Sequence, residues 1–161
     1  MTNPKYPVYI VSKGRADTMI TSRSLSRMRV PHYIIIEPQD LQPYKDALTN
    51  FGLSGVTLLV APFSNHGDGP GRARNWAWDH SISIGADAHW VLDDNISDFY
   101  RLHRNERIRV ESGVFFTAME DFFDRYENLY IAGPQYRFFI APNQKYPPYV
   151  ANTRIYSTLL I

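Results

Sequence analysis

The chain has 161 residues, 44% of them hydrophobic and 20% charged, enough for one ordinary globular domain and too few for two. Seventeen Lys and Arg stand against sixteen Asp and Glu, a formal net charge of +1, so no global field drives the protein onto nucleic acid or an acidic membrane, and any anion site is local. Cysteine is absent, which excludes disulfides, thiolate nucleophiles and Cys-based metal centres and leaves oxygen or His to hold any metal.

The run Pro7-Val-Tyr-Ile-Val-Ser12 reads as a strand entering the polar turn Lys13-Gly-Arg-Ala-Asp17, with a helix following to about Met28. His32-Tyr-Ile-Ile-Ile-Glu37 is a second strand, and its unbroken apolar run suits a strand covered on both faces. Asp40 is placed to cap a helix on which Leu41, Tyr44, Leu48 and Phe51 recur at helical spacing, with Pro43 in its first turn and Gly52 at its end. Val56 to Ala61 is a third strand, followed by the glycine-rich stretch Pro62 to Gly71 and a helix from about Arg72 to Ile84. The fourth strand, His89-Trp-Val-Leu-Asp93, ends in acidic residues. After an arginine-rich connection, Phe115, Met119, Phe122, Phe123 and Tyr126 mark an amphipathic helix, and Leu129 to Ala132 a strand broken by Gly133-Pro134. Tyr136 to Ile140 and Arg154 to Ile161 have strand character, separated by the proline-rich loop Pro142 to Pro148.

Alternating strands and helices of this kind predict an α/β fold with a mostly parallel twisted sheet, whose ligands collect at the carboxyl ends of the strands. Ser12, Glu37 and Asp93 lie at such ends. No apolar run approaches the roughly 20 residues of a membrane span, and the polar, proline-punctuated Met1 to Pro7 is no signal peptide. A soluble protein with no membrane partner, in the cytoplasm, is the expectation. The chain stops inside the apolar run Thr158-Leu-Leu-Ile161, from which either a C-terminally truncated fragment or a natural minimal version of a longer fold is expected.

Leu92-Asp93-Asp94-Asn95 closes a hydrophobic strand, and a strand end can aim carboxylates rigidly into a cleft. Two carboxylates and an amide form a hard-oxygen set suited to Mg²⁺ or Mn²⁺, especially with diphosphate oxygens completing the shell. The other reading is a polar turn in which Asp caps the next helix. Upstream, Gly67-Asp-Gly-Pro-Gly-Arg-Ala-Arg-Asn75 combines glycines that admit close backbone approach, a helix start with unpaired N–H groups, and two arginines able to clamp a phosphate. It lacks the Gly-Lys-Ser/Thr ending of a P-loop and the spacing of the dinucleotide fingerprint. A loop with solvent-facing arginines is the alternative there.

A glycine-bearing loop, Ala-Arg-Asn at a helix start and a strand ending Leu-Asp-Asp resemble the GT-A class of nucleotide-diphosphosugar transferases. More closely, Val8-Tyr-Ile-Val-Ser-Lys-Gly-Arg15, Gly69-Pro-Gly-Arg-Ala-Arg-Asn75, Trp90-Val-Leu-Asp-Asp-Asn-Ile96, Ala132-Gly-Pro134 and Asn152-Thr-Arg-Ile-Tyr-Ser157 resemble, in order along the chain, the TET-associated glycosyltransferase family. That resemblance implies a bacteriophage-type enzyme that decorates hydroxymethylated pyrimidines of DNA from a nucleotide-sugar. It implies a GT-A-like three-layer sandwich as one domain over residues 1–161, its donor-binding part at about 5–100 and a partial acceptor-side part at about 101–161. Ser12, Gly14, Arg15, Glu37, Gly71, Arg72, Arg74, Asn75, Asp93 and Asp94 then fall on the donor side, and Asp93, Asp94 and Asn95 on the metal-binding Asp-x-Asp motif. Asn95 departs from that motif, placing a neutral carbonyl where a carboxylate is usual, which weakens metal binding or shifts it onto the two aspartates.

The chemistry also needs a general base. Glu120 and Asp121, on the amphipathic helix, are the candidates, against the reading that they belong to a solvated face. Arg104 and Arg107, within Tyr100-Arg-Leu-His-Arg-Asn-Glu-Arg-Ile-Arg109, are candidates for phosphate contacts to DNA, or members of an exposed connector. The aromatic stretch from Tyr136 to Tyr149 can stack a base or a sugar face, or simply pack. Two other functions remain open on the sequence: a noncatalytic nucleotide- or nucleic-acid-binding module on the same fold, and a nucleotidyltransferase.

Overall fold

The computed structural model describes residues 3–65, 67, 69–141 and 145–161. Asp68 of the glycine-rich stretch and the start of the proline-rich loop, 142–144, lie outside the described residues. Strands β1 (Val8–Val11), β2 (His32–Ile36), β3 (Val56–Val60), β4 (Trp90–Asp93) and β7 (Thr158–Leu160) form a sheet of order β3-β2-β1-β4-β7. Its first four strands are parallel, and β7 returns antiparallel along β4. Helices α1 (Ile20–Arg27), α2 (Leu41–Asn50), α3 (Gly71–Ser83) and α4 (Val114–Phe123) connect or flank the strands. A separate two-stranded ribbon, β5 (Tyr100–His103) and β6 (Glu106–Arg109), follows β4.

Side chains alternate across the pleat. Val8, Ile10, Ile34, Ile36, Trp90 and Leu92 enter a larger core with Leu25 of α1, Tyr44 of α2 and Phe116 of α4. Tyr9, Ile35 and Val91 face the other way, against Ala73, Trp76 and Ala77 of α3. Both faces of the central strands are thus buried, which explains their continuous apolar runs. No helix among the described residues is long and apolar enough to cross a membrane.

The four parallel strands and four helices lie where the sequence predicts, most ends within a residue or so, but α1 starts only at Ile20 and α4 ends at Phe123, three residues before Tyr126. Three readings need correction. Leu129 to Ala132 forms no strand; only Ala132 bridges to Leu160 at the outer edge of β7, and Tyr130 and Ile131 are exposed. Tyr136 to Ile140 is not a strand but a 3-10 turn at Arg137–Phe139. Only Thr158–Leu160 of the last apolar run pairs. The arginine-rich connection, conversely, is the β5–β6 hairpin, its turn made by Arg104 and Asn105 at φ of 50° and 64°. Two left-handed residues in succession are what a type I′ turn requires.

Candidate active site

The strand order reverses between β1 and β4: β2 and β3 continue to one side of β1, while the chain crosses to the other side for β4. In open α/β sheets this switch point leaves a crevice at the carboxyl ends of the strands. A cleft of about 530 Å³ lies there. Ser12, Lys13 and Arg15 enter it from the end of β1, Glu37 from β2, Ala61 and Phe63 from β3, and Asp93, Asp94 and Asn95 from β4. Gly67, Gly69, Pro70, Arg72 and Ala73, of the glycine-rich stretch and the first turn of α3, close the remaining side. Gly69 sits at φ +72° with no atom near its missing Cβ, so the backbone itself forms that wall.

Each carboxylate of the acidic corner is held by an arginine. Arg74 Nη2 reaches Asp93 Oδ1 at 2.5 Å, and Arg15 Nη1 reaches Asp94 Oδ1 at 2.9 Å. The Ser12 hydroxyl donates to the second Asp94 oxygen at 2.8 Å. Its single proton being spent there, Ser12 accepts from the buried phenol of Tyr44 at 2.6 Å. Burial raises the Tyr44 pKa, which keeps that phenol protonated and donating.

The backbone of the corner is pinned by Thr21, fully buried at the start of α1. Its hydroxyl donates to the Asp93 carbonyl at 2.7 Å and accepts from Ile96 N–H at 2.8 Å, while its own N–H donates to the Asp94 carbonyl at 3.3 Å. On the other flank, Asp93 N–H donates to the Ser157 carbonyl at 2.8 Å. Across the cleft, Glu37 accepts from Asn65 N–H at 2.8 Å and pairs with Lys13 at 2.9 Å. The Asn65 amide first, then the Lys13 ammonium, hold the Glu37 carboxyl down at about 2.

Of the donor-side residues expected from sequence, Ser12, Arg15, Glu37, Arg72, Asp93 and Asp94 line one cleft, with Asn95 beside them. Arg74 joins through its ion pair. Gly14 and Gly71 lie at the rim outside the lining, and Asn75 is exposed on α3 away from it. Asp40 does not cap α2 with its side chain. Its carboxylate instead accepts Gly14 N–H at 3.1 Å and so holds the β1–α1 turn.

Glu120 is not at the cleft. It is buried at the amino ends of the strands, where it accepts from Lys5 N–H at 2.8 Å, Tyr6 N–H at 3.3 Å and the Trp90 indole at 2.8 Å. Asp121 is exposed on the same helix and does not line the cleft either. Lys13, Thr21, Tyr44 and Phe63 were not anticipated. The periodicity of α2 marks Tyr44 only as core, and Thr21 carries no local signal because its partners lie about seventy residues away.

Four cations, Lys13, Arg15, Arg72 and Arg74, thus surround three carboxylates, Glu37, Asp93 and Asp94. Two carboxylates and an amide carbonyl on one strand end are a donor set suited to a hard divalent cation. Among the described residues no group of three or more His, Asp or Glu is gathered as a metal site. The arrangement can also present guanidinium groups to an anion, because Arg15 and Arg74 need only exchange a carboxylate oxygen for a phosphate oxygen.

Compared with known proteins, residues 6–161 match the family model described as TET-Associated Glycosyltransferase. No curated protein and no solved structure matches the chain.

Proposed function

The chain belongs to the TET-associated glycosyltransferase family, and from that premise we propose that it moves a sugar from a nucleotide-diphosphosugar to a hydroxyl group, that of a hydroxymethylpyrimidine in DNA. The observation that carries this reading is the convergence, on one cleft, of the Asp93–Asp94 corner and the glycine-arginine stretch, joined by the Arg74–Asp93 contact of 2.5 Å. We read the fold as GT-A-like and as one domain, the donor side at about 5–100 and the acceptor side at about 101–161.

Sugar transfer builds positive charge on the sugar and negative charge on the departing diphosphate, so catalysis rests on groups aimed at that diphosphate. Arg15, Arg72 and Arg74 are those groups. Arg15 and Arg74 release Asp94 and Asp93 as they turn to the diphosphate, and the carboxylates then face the sugar end of the donor. Asp93 and Asp94, with the Asn95 carbonyl, would hold Mg²⁺ or Mn²⁺, whose charge supplies Lewis-acid stabilisation of the leaving diphosphate. Ser12 and Tyr44 keep the Asp94 carboxylate oriented, and Thr21 fixes the backbone from which both aspartates project. Glu37 and Lys13 border the end of the cleft suited to the nucleoside.

Acceptor DNA is supported by the hairpin. Arg101, Arg104 and Arg107 are exposed on β5, its turn and β6, with no ion-pair partner among the described residues. Phosphate contacts of this kind make binding fall steeply with salt.

Thermal unfolding tests the donor site. A nucleotide-sugar with Mn²⁺ at about a hundred times its dissociation constant stabilises the native state by about 3 kcal/mol, a rise of about 5–10 °C for a chain of this size. Asp93→Ala and Arg74→Gln are each expected to abolish the rise. No shift with any of a panel of nucleotide-sugars, with or without the metal, would overturn the reading.

A further inference from the structure

From Asn128 to Ile161 the chain carries seven aromatic residues and three cations, Arg137, Lys145 and Arg154, and no Asp or Glu. In a chain otherwise balanced in charge, this stretch itself contributes cations and no carboxylate to a polyanion. Much of its aromatic surface is open. Phe138 is 95% exposed, and Tyr136, Phe139, Tyr149 and Tyr156 are also exposed. Aromatic side chains left bare in one neighbourhood mark a binding surface.

Three of these rings are ordered against one another. Tyr136 and Tyr156 stack with centroids 5.3 Å apart and planes 14° apart, and Phe139 lies 6.2 Å and 6.0 Å from them at 33° and 31°. The group is tied to the acidic corner, because the Tyr136 hydroxyl bonds the Ser157 hydroxyl, and the Ser157 carbonyl accepts Asp93 N–H. It is tied to the basic hairpin as well, since the Arg137 guanidinium lies over the Tyr100 ring at 5.9 Å. The rings therefore stand on the β7 flank of Asp93, opposite the flank on which Ser12 and Glu37 line the cleft.

We propose that Tyr136, Phe139 and Tyr156, with the protruding Phe138, form the platform on which one unpaired nucleobase of the DNA acceptor stacks beside the Asp93 corner. This rests on the reading of the acceptor as DNA given above. Near-parallel rings offer a flat apolar surface to a planar partner, and base stacking on aromatic side chains tolerates any base. Arg137, over the Tyr100 ring, and the exposed Arg101, Arg104 and Arg107 of the hairpin it contacts favour a strand of phosphates over a neutral glycan, which also stacks on aromatic rings but gains nothing from charge. Enzymes that do chemistry on a duplex base turn it out of the stack, and a flat apolar surface next to the reacting corner would receive it.

Fluorescence anisotropy of a labelled single-stranded DNA carrying one hydroxymethylcytosine tests the platform on the full chain. Phe138→Ala and Tyr156→Leu are each expected to weaken binding by about fivefold to a hundredfold, the range that loss of one stacked ring covers, while Tyr156→Phe retains it. The nucleotide-sugar-dependent rise in melting temperature is expected to persist in Phe138→Ala, whose ring supports nothing in the fold. The proposal is overturned if both variants bind DNA as the unaltered protein does, if the unaltered protein does not bind the DNA, or if a neutral oligosaccharide occupies these rings instead. Absence of the donor-dependent rise in the unaltered protein is a separate failure, that of the sugar-transfer reading itself.

Discussion

A side chain at Gly133 has nowhere to go: a Cβ there overlaps the Ile155 side chain and the Thr158 carbonyl oxygen. The carbonyl belongs to β7 and cannot swing aside, so Gly133→Ala is expected to cost about 1–3 kcal/mol, the usual range for overpacking. Urea unfolding measures this, and Ala132→Gly, one residue earlier, serves as the comparison. Ala132-Gly-Pro134 is legible in the sequence as a break but not as a point of close approach, because its neighbour comes from the chain's end. Asp40 teaches the same lesson. An Asp before a helical pattern reads as a cap, yet its carboxylate serves the Gly14 amide. Local preference says what a residue is able to do, and the tertiary neighbour decides which group it meets.

At the level of elements, β1, β2 and β4 were legible because each is an apolar run buried on both faces, and β3, at the sheet edge and only half-buried, because of its β-branched and apolar residues. The β5–β6 hairpin was not, because its strands are charged and exposed and its turn uses Arg104-Asn105 in place of the usual Asn-Gly. The contact between β2 and α1 carries a pH signature. His32 is buried, its Nδ1–H donating to the Val30 carbonyl and its Nε2 accepting from Ser22, and burial pushes its pKa down to about 4. The unfolded chain takes up a proton near the ordinary value of 6.5 and the folded one resists it. Stability therefore falls as pH drops from about 6.5 towards 4. His80 and His89, on the other face of the sheet, are also lowered by burial and act in the same direction. The melting temperature of His32→Gln is expected to decline less over that interval. A second loss follows from pH 4.5 to about 2 as Glu37 protonates and gives up Asn65 and Lys13, and Glu37→Gln is expected to flatten it.

In the whole molecule, four strands run the same way, so their carboxyl tips form one rim and their amino ends the other. The tips carry Ser12, Glu37 and Asp93; the opposite rim holds Glu120, which satisfies two backbone amides and the Trp90 indole. The cleft could be foreseen because strand ends and a switch point are features of topology that alternating patterns reveal. Which acid belonged to which rim could not, since both lie next to apolar runs. Glu120→Gln, replacing an acceptor with a group that satisfies only some of those donors, is expected to lose about 1–3 kcal/mol of stability and to keep its nucleotide-sugar-dependent rise in melting temperature. Asp93→Asn is expected to do the reverse. That shared direction of the strands gives tolerance to substitution an axis. In a saturation library scored once for cellular abundance and once for turnover, polar positions sensitive only in the first assay would gather where the strands begin, and those sensitive only in the second where they finish.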